Sequence, residues 1–123
     1  MPKRILVVED DADNRRIVVK TLSVEGYEII EATDGIQALA HAQADQPDLI
    51  LMDLALPNMD GWEAARRLKS DPRTRTIPIV ALTAVAMRGD EEQARAAGCD
   101  DYLSKPARPL AIREMVRKYT GGA

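Results

Sequence analysis

Five short apolar runs, each followed by a longer stretch of helical character, constrain this chain more than any other feature of it. The runs are RILVV (4–8), YEII (27–30), LILM (49–52), IPIVAL (77–82) and DYLS (101–104). Strands that alternate with helices pair in parallel, because each connection must cross back over the sheet, so the alternation predicts an α/β fold. Three of the runs are almost wholly apolar, as a sheet covered on both faces requires; a sheet with one wet face would alternate apolar with polar. Ile17, Val18 and Leu22 mark a first helix, Ile36, Leu39 and Ala40 a second, and Trp62, Ala65 and Leu68 a third. Residues 91–97 suggest a weaker fourth, and Ile112, Met115, Val116 and Tyr119 make the stripe of a fifth. Gly26, Gly35 and Gly98 fall where helices or turns are expected to end, and Pro72 and Pro78 punctuate the approach to the fourth strand. No segment has linker composition, so the expectation is one domain over residues 1–119 with a short tail at 120–123.

Composition narrows the function classes. Hydrophobic residues make up 46% and charged residues 30%, the balance of a soluble globular domain. No apolar stretch approaches the ~20 residues that span a bilayer. The apolar run after Lys3 and Arg4 is interrupted by Glu9 and Asp10, which argues against a secretory signal and makes the cytoplasm the expected compartment. A single cysteine, Cys99, excludes an internal disulfide and a multi-cysteine metal site. The net charge of −3, without a basic block, gives direct nucleic-acid binding no support.

In an open parallel sheet, ligands gather beyond the carboxyl ends of the strands. There the first strand runs into Glu9-Asp10-Asp11, the third into Asp53 and the fourth into Thr83, while Lys105 follows the fifth. Two readings of Glu9-Asp10-Asp11 stay open on the residues alone: an acidic turn favoured by a helix N-terminus, or carboxylates gathered around a cation. For a cation, hard oxygen ligands without a Cys or His cluster favour Mg²⁺ or Mn²⁺ over zinc. Beside such an ion, Asp53 is the natural nucleophile toward phosphorus. Lys105, Thr83 and a backbone N–H at Ala84 are candidate donors for phosphoryl oxygens, whose charge such a reaction must stabilise.

Over essentially its whole length, from ILVVEDD through LILMDLALPNMDG and IVALTA to DYLSKP, the sequence resembles the receiver domains of bacterial response regulators. The resemblance implies a flavodoxin-like, doubly wound, five-stranded parallel sheet in the order 2-1-3-4-5 with five helices. It makes Asp53 the phosphoacceptor, and Asp10, Asp53 and the backbone carbonyl of Ala55 the direct metal ligands, with Glu9 acting through water. Thr83 and Lys105 match residues that engage the phosphoryl oxygens, and Thr83 with Tyr102 matches the switch pair. The Lys105-Pro106 bond matches one that is cis in the family, and Pro57 and Gly61 fit the loop after the phosphoacceptor. The implied protein is a response regulator, not a conventional enzyme, that catalyses its own phosphorylation and dephosphorylation. Its implied partners are a histidine kinase or histidine phosphotransfer protein and a downstream protein target, with neither nucleic acid nor membrane, and the chain is expected to be a monomer or weak dimer. Positions 55 and 85, held by Ala55 and Val85, tune phosphoryl lifetime in the family.

Two other functions compete. A phosphohydrolase of the haloacid-dehalogenase type needs a second Asp two residues beyond its nucleophile as general acid, and position 55 is Ala. A degenerate receiver acting only as a binding module is expected to lack the nucleophile, the acidic pair or the lysine, and all are present. His41 is expected at the surface without a role, Cys99 as a small buried residue, and Trp62 as packing for the third helix.

Overall fold

The computed structural model describes residues 2–83 and 95–122, except for the side chain of Thr83. Five strands, β1 (Arg4–Val8), β2 (Glu28–Ala32), β3 (Leu49–Asp53), β4 (Ile79–Thr83) and β5 (Asp101–Ser104), alternate with helices α1 (Ala12–Val24), α2 (Gly35–Asp45), α3 (Gly61–Ser70) and α4 (Pro109–Thr120). All pairings are parallel, in the order β2-β1-β3-β4-β5. The expected fold class is thus found, with four helices among the described residues. Most of the helix expected at 91–97 lies outside them.

The continuous apolar runs have a direct explanation in the packing. Leu6, Val8, Ile50, Met52, Ile79 and Ala81 point to one face, where they meet Ala38 and Ala42 of α2 and Ala64, Ala65 and Leu68 of α3. Ile5, Val7, Leu49, Leu51 and Val80 point to the other, against Val18 and Leu22 of α1 and Ile112 and Val116 of α4. Because successive strand side chains alternate between faces, only a strand covered on both sides needs every position apolar. The edge strands β2 and β5, with one neighbour each, carry the polar residues Glu28, Glu31, Asp101 and Ser104.

Several expectations shift. β4 begins at Ile79, two residues after the expected start, because Pro78 has no N–H for a ladder; its carbonyl instead accepts from Ile50. β2 starts one residue late and extends to Ala32. Gly35 opens α2 instead of closing a turn. The buried stripe of α2 is Ala38 and Ala42 with Leu39 partly buried, while Ile36 is 56% exposed. Ile17 likewise turns outward and is 51% exposed. α4 runs through Thr120, into the expected tail, and ends on Gly121 in a left-handed conformation. Thr120 is tied back to the body by a 3.0 Å hydrogen bond with the Tyr27 hydroxyl. Trp62 packs against the core and Cys99 is buried, its thiol pushed up to about 11 by that burial, with Asp100 adding to the rise. His41 sits on α2 within 2.9 Å of Asp45, one turn along. No helix among the described residues is long and apolar enough to cross a membrane.

Candidate functional site

The carboxyl ends of β1 and β3 are neighbours in the sheet, with Val8 paired to Met52, and this register brings Glu9 and Asp53 side by side. Carboxylate oxygens of Glu9, Asp10 and Asp53 all lie within 4.8 Å of one another. Glu9 is 1% and Asp53 4% exposed, while Asp10 faces solvent. Asp11, the third acidic residue of that run, does something else: its Oδ1 accepts from the Asn14 N–H at 2.9 Å and caps α1. Asp11 thus follows the helix-cap reading, while Glu9 and Asp10 gather beside Asp53.

Lys105, just beyond β5, reaches across the end of the sheet. Its Nζ donates to Asp53 Oδ2 at 2.6 Å and to Glu9 Oε1 at 2.8 Å. The remaining Asp53 oxygen, Oδ1, accepts from the Ala55 N–H at 3.0 Å. Both Asp53 oxygens are thus engaged by donors, which favours its ionised form. Burial works to raise the Asp53 carboxyl, but its interactions with Glu9, Lys105 and the Ala55 N–H outweigh it and hold the carboxyl below its ordinary value. Burial also raises Glu9, to about 7, with Asp53 adding to the rise and Lys105 opposing it. For Lys105 burial disfavours the ammonium, yet its two carboxylate partners lift its pKa.

One atom is left over. Glu9 Oε2 is buried and has no hydrogen-bond partner among the described residues. A buried carboxylate oxygen without a donor costs free energy on the order of ~1–3 kcal/mol or more. Three oxygen-bearing acids, an orphaned oxygen among them and no soft ligand fit a hard divalent cation.

The other expected residues are placed less completely. Thr83 closes β4 opposite Ser104, but its side chain, like Ala84 and Val85, lies outside the described residues. Tyr102 is paired with Ala81 and packs, partly buried, against the core beneath α2 and α3. Ala55 is exposed at the start of the β3–α3 loop, and the Lys105-Pro106 bond is cis.

Two features of the site are absent from the sequence reading. Arg15 of α1 donates through Nη1 to the Glu9 carbonyl at 2.9 Å and through Nε to Glu31 Oε1 at 3.0 Å, joining the ends of β1 and β2. Gly61 opens α3 where a Cβ would come within 2.5 Å of the Asp53 carbonyl oxygen and 2.6 Å of Leu54 Cα. Only glycine lets the helix start that close to the strand end. The resemblance places Gly61 in the loop without this reason for it.

Known proteins agree with this geometry. The family model for the response regulator receiver domain matches residues 5–117. The polar-differentiation response regulator DivK of Brucella anthropi is 42% identical over 123 residues, covering 100% of both chains. The receiver domain of the Pseudomonas aeruginosa sensor histidine kinase PA1611, solved with a magnesium ion coordinated in the active site cleft, matches with a TM-score of 0.91 and 37% identity, over 98% of this chain and 99% of that one. The receiver domain of the Saccharomyces cerevisiae response regulator Ssk1, solved with the histidine phosphotransfer protein Ypd1, gives a TM-score of 0.91 at 29% identity, over 96% of this chain and 88% of that one. With this sheet order, this acidic cluster and these matches, the chain belongs to the response regulator receiver domain family of two-component signalling.

Proposed function

We propose that this receiver is a phosphorylation switch in which Asp53 accepts a phosphoryl group from a phosphohistidine on a histidine kinase or histidine phosphotransfer protein. The observation that carries the reading is the buried Asp53 carboxyl group held by Lys105 at 2.6 Å and flanked by Glu9 and Asp10. An Asp53 oxygen forms the new P–O bond as the P–N bond of the phosphohistidine breaks, its electron pair leaving on the imidazole nitrogen. Lys105 then moves its ammonium from the carboxylate to a phosphoryl oxygen, and Thr83 and the Ala84 N–H supply further donors. Asp10, Asp53 and the Ala55 carbonyl, with Glu9 through water, would hold a divalent ion, Mg²⁺ or Mn²⁺, which would supply the positive charge that the acids and an incoming phosphoryl group require.

The phosphoryl contacts bias Thr83 and Tyr102 toward a second arrangement, by as much as those contacts differ between the two states. β5 and α4 form part of the surface that carries the change to a protein target. The chain thereby promotes its own phosphorylation and dephosphorylation. It works as a monomer or weak dimer in the cytoplasm, as one domain.

Incubation with a small phosphodonor and Mg²⁺, followed by intact-mass measurement, tests the proposal. A single phosphoryl adduct is expected on the native chain with Mg²⁺ and none on Asp53→Asn. An adduct that ignores Mg²⁺ or persists in the variant contradicts it. A phosphohydrolase is not favoured, since the exposed residue two beyond Asp53 is Ala55, which cannot act as an acid.

A further inference from the structure

The β3–α3 loop, residues 54–60, carries the Ala55 peptide and is fastened at three places. At its base the Leu54 N–H donates to the Leu82 carbonyl at 3.1 Å, and the Gly61 N–H to the Leu54 carbonyl at 3.1 Å. Along its inner side Leu54 and Leu56 are buried in the core. At its crest the fastening is polar and specific. Asn58 Nδ2 donates to Asp34 Oδ2 at 2.8 Å, across 24 residues of sequence. Asp34 is 9% exposed, and its other oxygen, Oδ1, caps α2 by accepting from the Gln37 N–H at 2.8 Å. One carboxylate therefore joins the start of α2 to the crest of the loop. Beside it, Gly35 lets the loop press against the helix: a Cβ there would collide with the Met59 carbonyl oxygen.

The backbone at Asn58 is left-handed, with φ of 65°. Asparagine is among the few side chains that tolerate this conformation, and its short amide also reaches Asp34. Gly35 and Asp34 fix where the crest sits, Asp53 and Gly61 fix the base, and Ala55 lies between them with its N–H on Asp53 Oδ1.

We propose that Asn58, through its hydrogen bond to Asp34, is a positioning residue that holds the Ala55 peptide in register with Asp53 and so sets the cation affinity of the site. The proposal rests on the reading above, in which the Ala55 carbonyl and Asp53 share that cation. Asn58 and Asp34 act through Ala55 and touch neither the cation nor the phosphoryl group. Groups that orient a metal's ligands in this way commonly contribute a factor of about ten or more to metal affinity.

The test compares the native chain with Asn58→Gly, Asn58→Asp and the exchange variant Asn58→Asp/Asp34→Asn. Glycine keeps the left-handed backbone accessible and removes the side chain with its amide, while the exchange variant keeps a side chain at position 58 and so separates loss of the hydrogen bond from added backbone freedom. Aspartate sets two carboxylates against each other. The exchange reverses donor and acceptor, and the amide oxygen introduced at position 34 still caps α2. Dissociation constants for Mn²⁺ are read from the paramagnetic resonance of the free ion, alongside melting temperatures and the rate of Mg²⁺-dependent adduct formation. Asn58→Gly is expected to weaken Mn²⁺ binding about tenfold, Asn58→Asp at least as much, and the exchange to recover most of the loss. Native Mn²⁺ affinity in Asn58→Gly overturns the proposal, as does an exchange variant that binds no better than Asn58→Asp. A native chain that takes up no Mn²⁺ overturns it together with the cation site. A native chain that binds Mn²⁺ but forms no phosphoryl adduct overturns the phosphorylation reading instead, and the Mn²⁺ affinities still decide the role of Asn58.

Discussion

At Glu9 burial and the neighbouring Asp53 disfavour the charged carboxylate. In the folded chain its carboxyl holds a proton up to about 7, against an ordinary value of 4.5. Between those two values the folded state binds more protons than the unfolded one, so Glu9 makes stability fall as pH rises. Asp53 is shifted downward from 3.8 and Lys105 upward from 10.5, so their linked contributions change outside that window. Metal-free protein should therefore melt lower at pH 8 than at pH 5 through this group, and Glu9→Gln should flatten the slope; an unchanged slope in the variant contradicts the assignment. Lys105 compensates the same acids from the other side. Lys105→Ala should lower the melting temperature of the metal-free chain, and Mg²⁺ should restore more of it than Mg²⁺ adds to the native chain, because the ion takes over the lysine's charge. Equal Mg²⁺ effects on the two proteins count against a shared role.

At the scale of elements, β3 and the start of α3 carry the most. Ile50 is fully buried on one face of the central strand, so Ile50→Ala should destabilise by about 2–5 kcal/mol in a denaturant titration without altering Mg²⁺ dependence. Gly61→Ala should cost about 1–3 kcal/mol and also weaken Mn²⁺ binding, because the added Cβ meets the Asp53 backbone. A variant as stable and as metal-competent as the native chain removes that constraint. The strands were legible because β1, β3 and β4 are sandwiched and must be apolar along their length, with polar residues only at their ends, Arg4, Asp53 and Thr83. The stripe of α2 was not, since the residues that face the sheet are Ala38 and Ala42, whose methyl groups fit a close approach but give a faint signal beside Ile36. The pairing of Asn58 with Asp34 belongs to neither periodicity. Each residue reads locally as turn or cap chemistry, and only the fold brings their loops together.

Across the whole molecule, the carboxyl ends of the strands bring together acids and a lysine that lie far apart in sequence. One face rests on α2 and α3, the other on α1 and α4, and Glu9, Asp53 and Lys105 meet beyond the ends of β1, β3 and β5. The spacing of four separated motifs made this convergence readable in advance. What spacing did not contain was the pairing within the cluster, with Lys105 bridging two acids, Glu9 Oε2 without a partner among the described residues and Asp11 withdrawn to cap a helix. These depend on side-chain reach and burial, which follow from the folded register. The most direct test treats the chain with a small phosphodonor and Mg²⁺, reduces it with borohydride, which converts an aspartyl phosphate to homoserine, and maps the product by peptide sequencing. Homoserine at position 53, formed only with Mg²⁺, is the expected result; homoserine at another aspartate, or none at all, contradicts it.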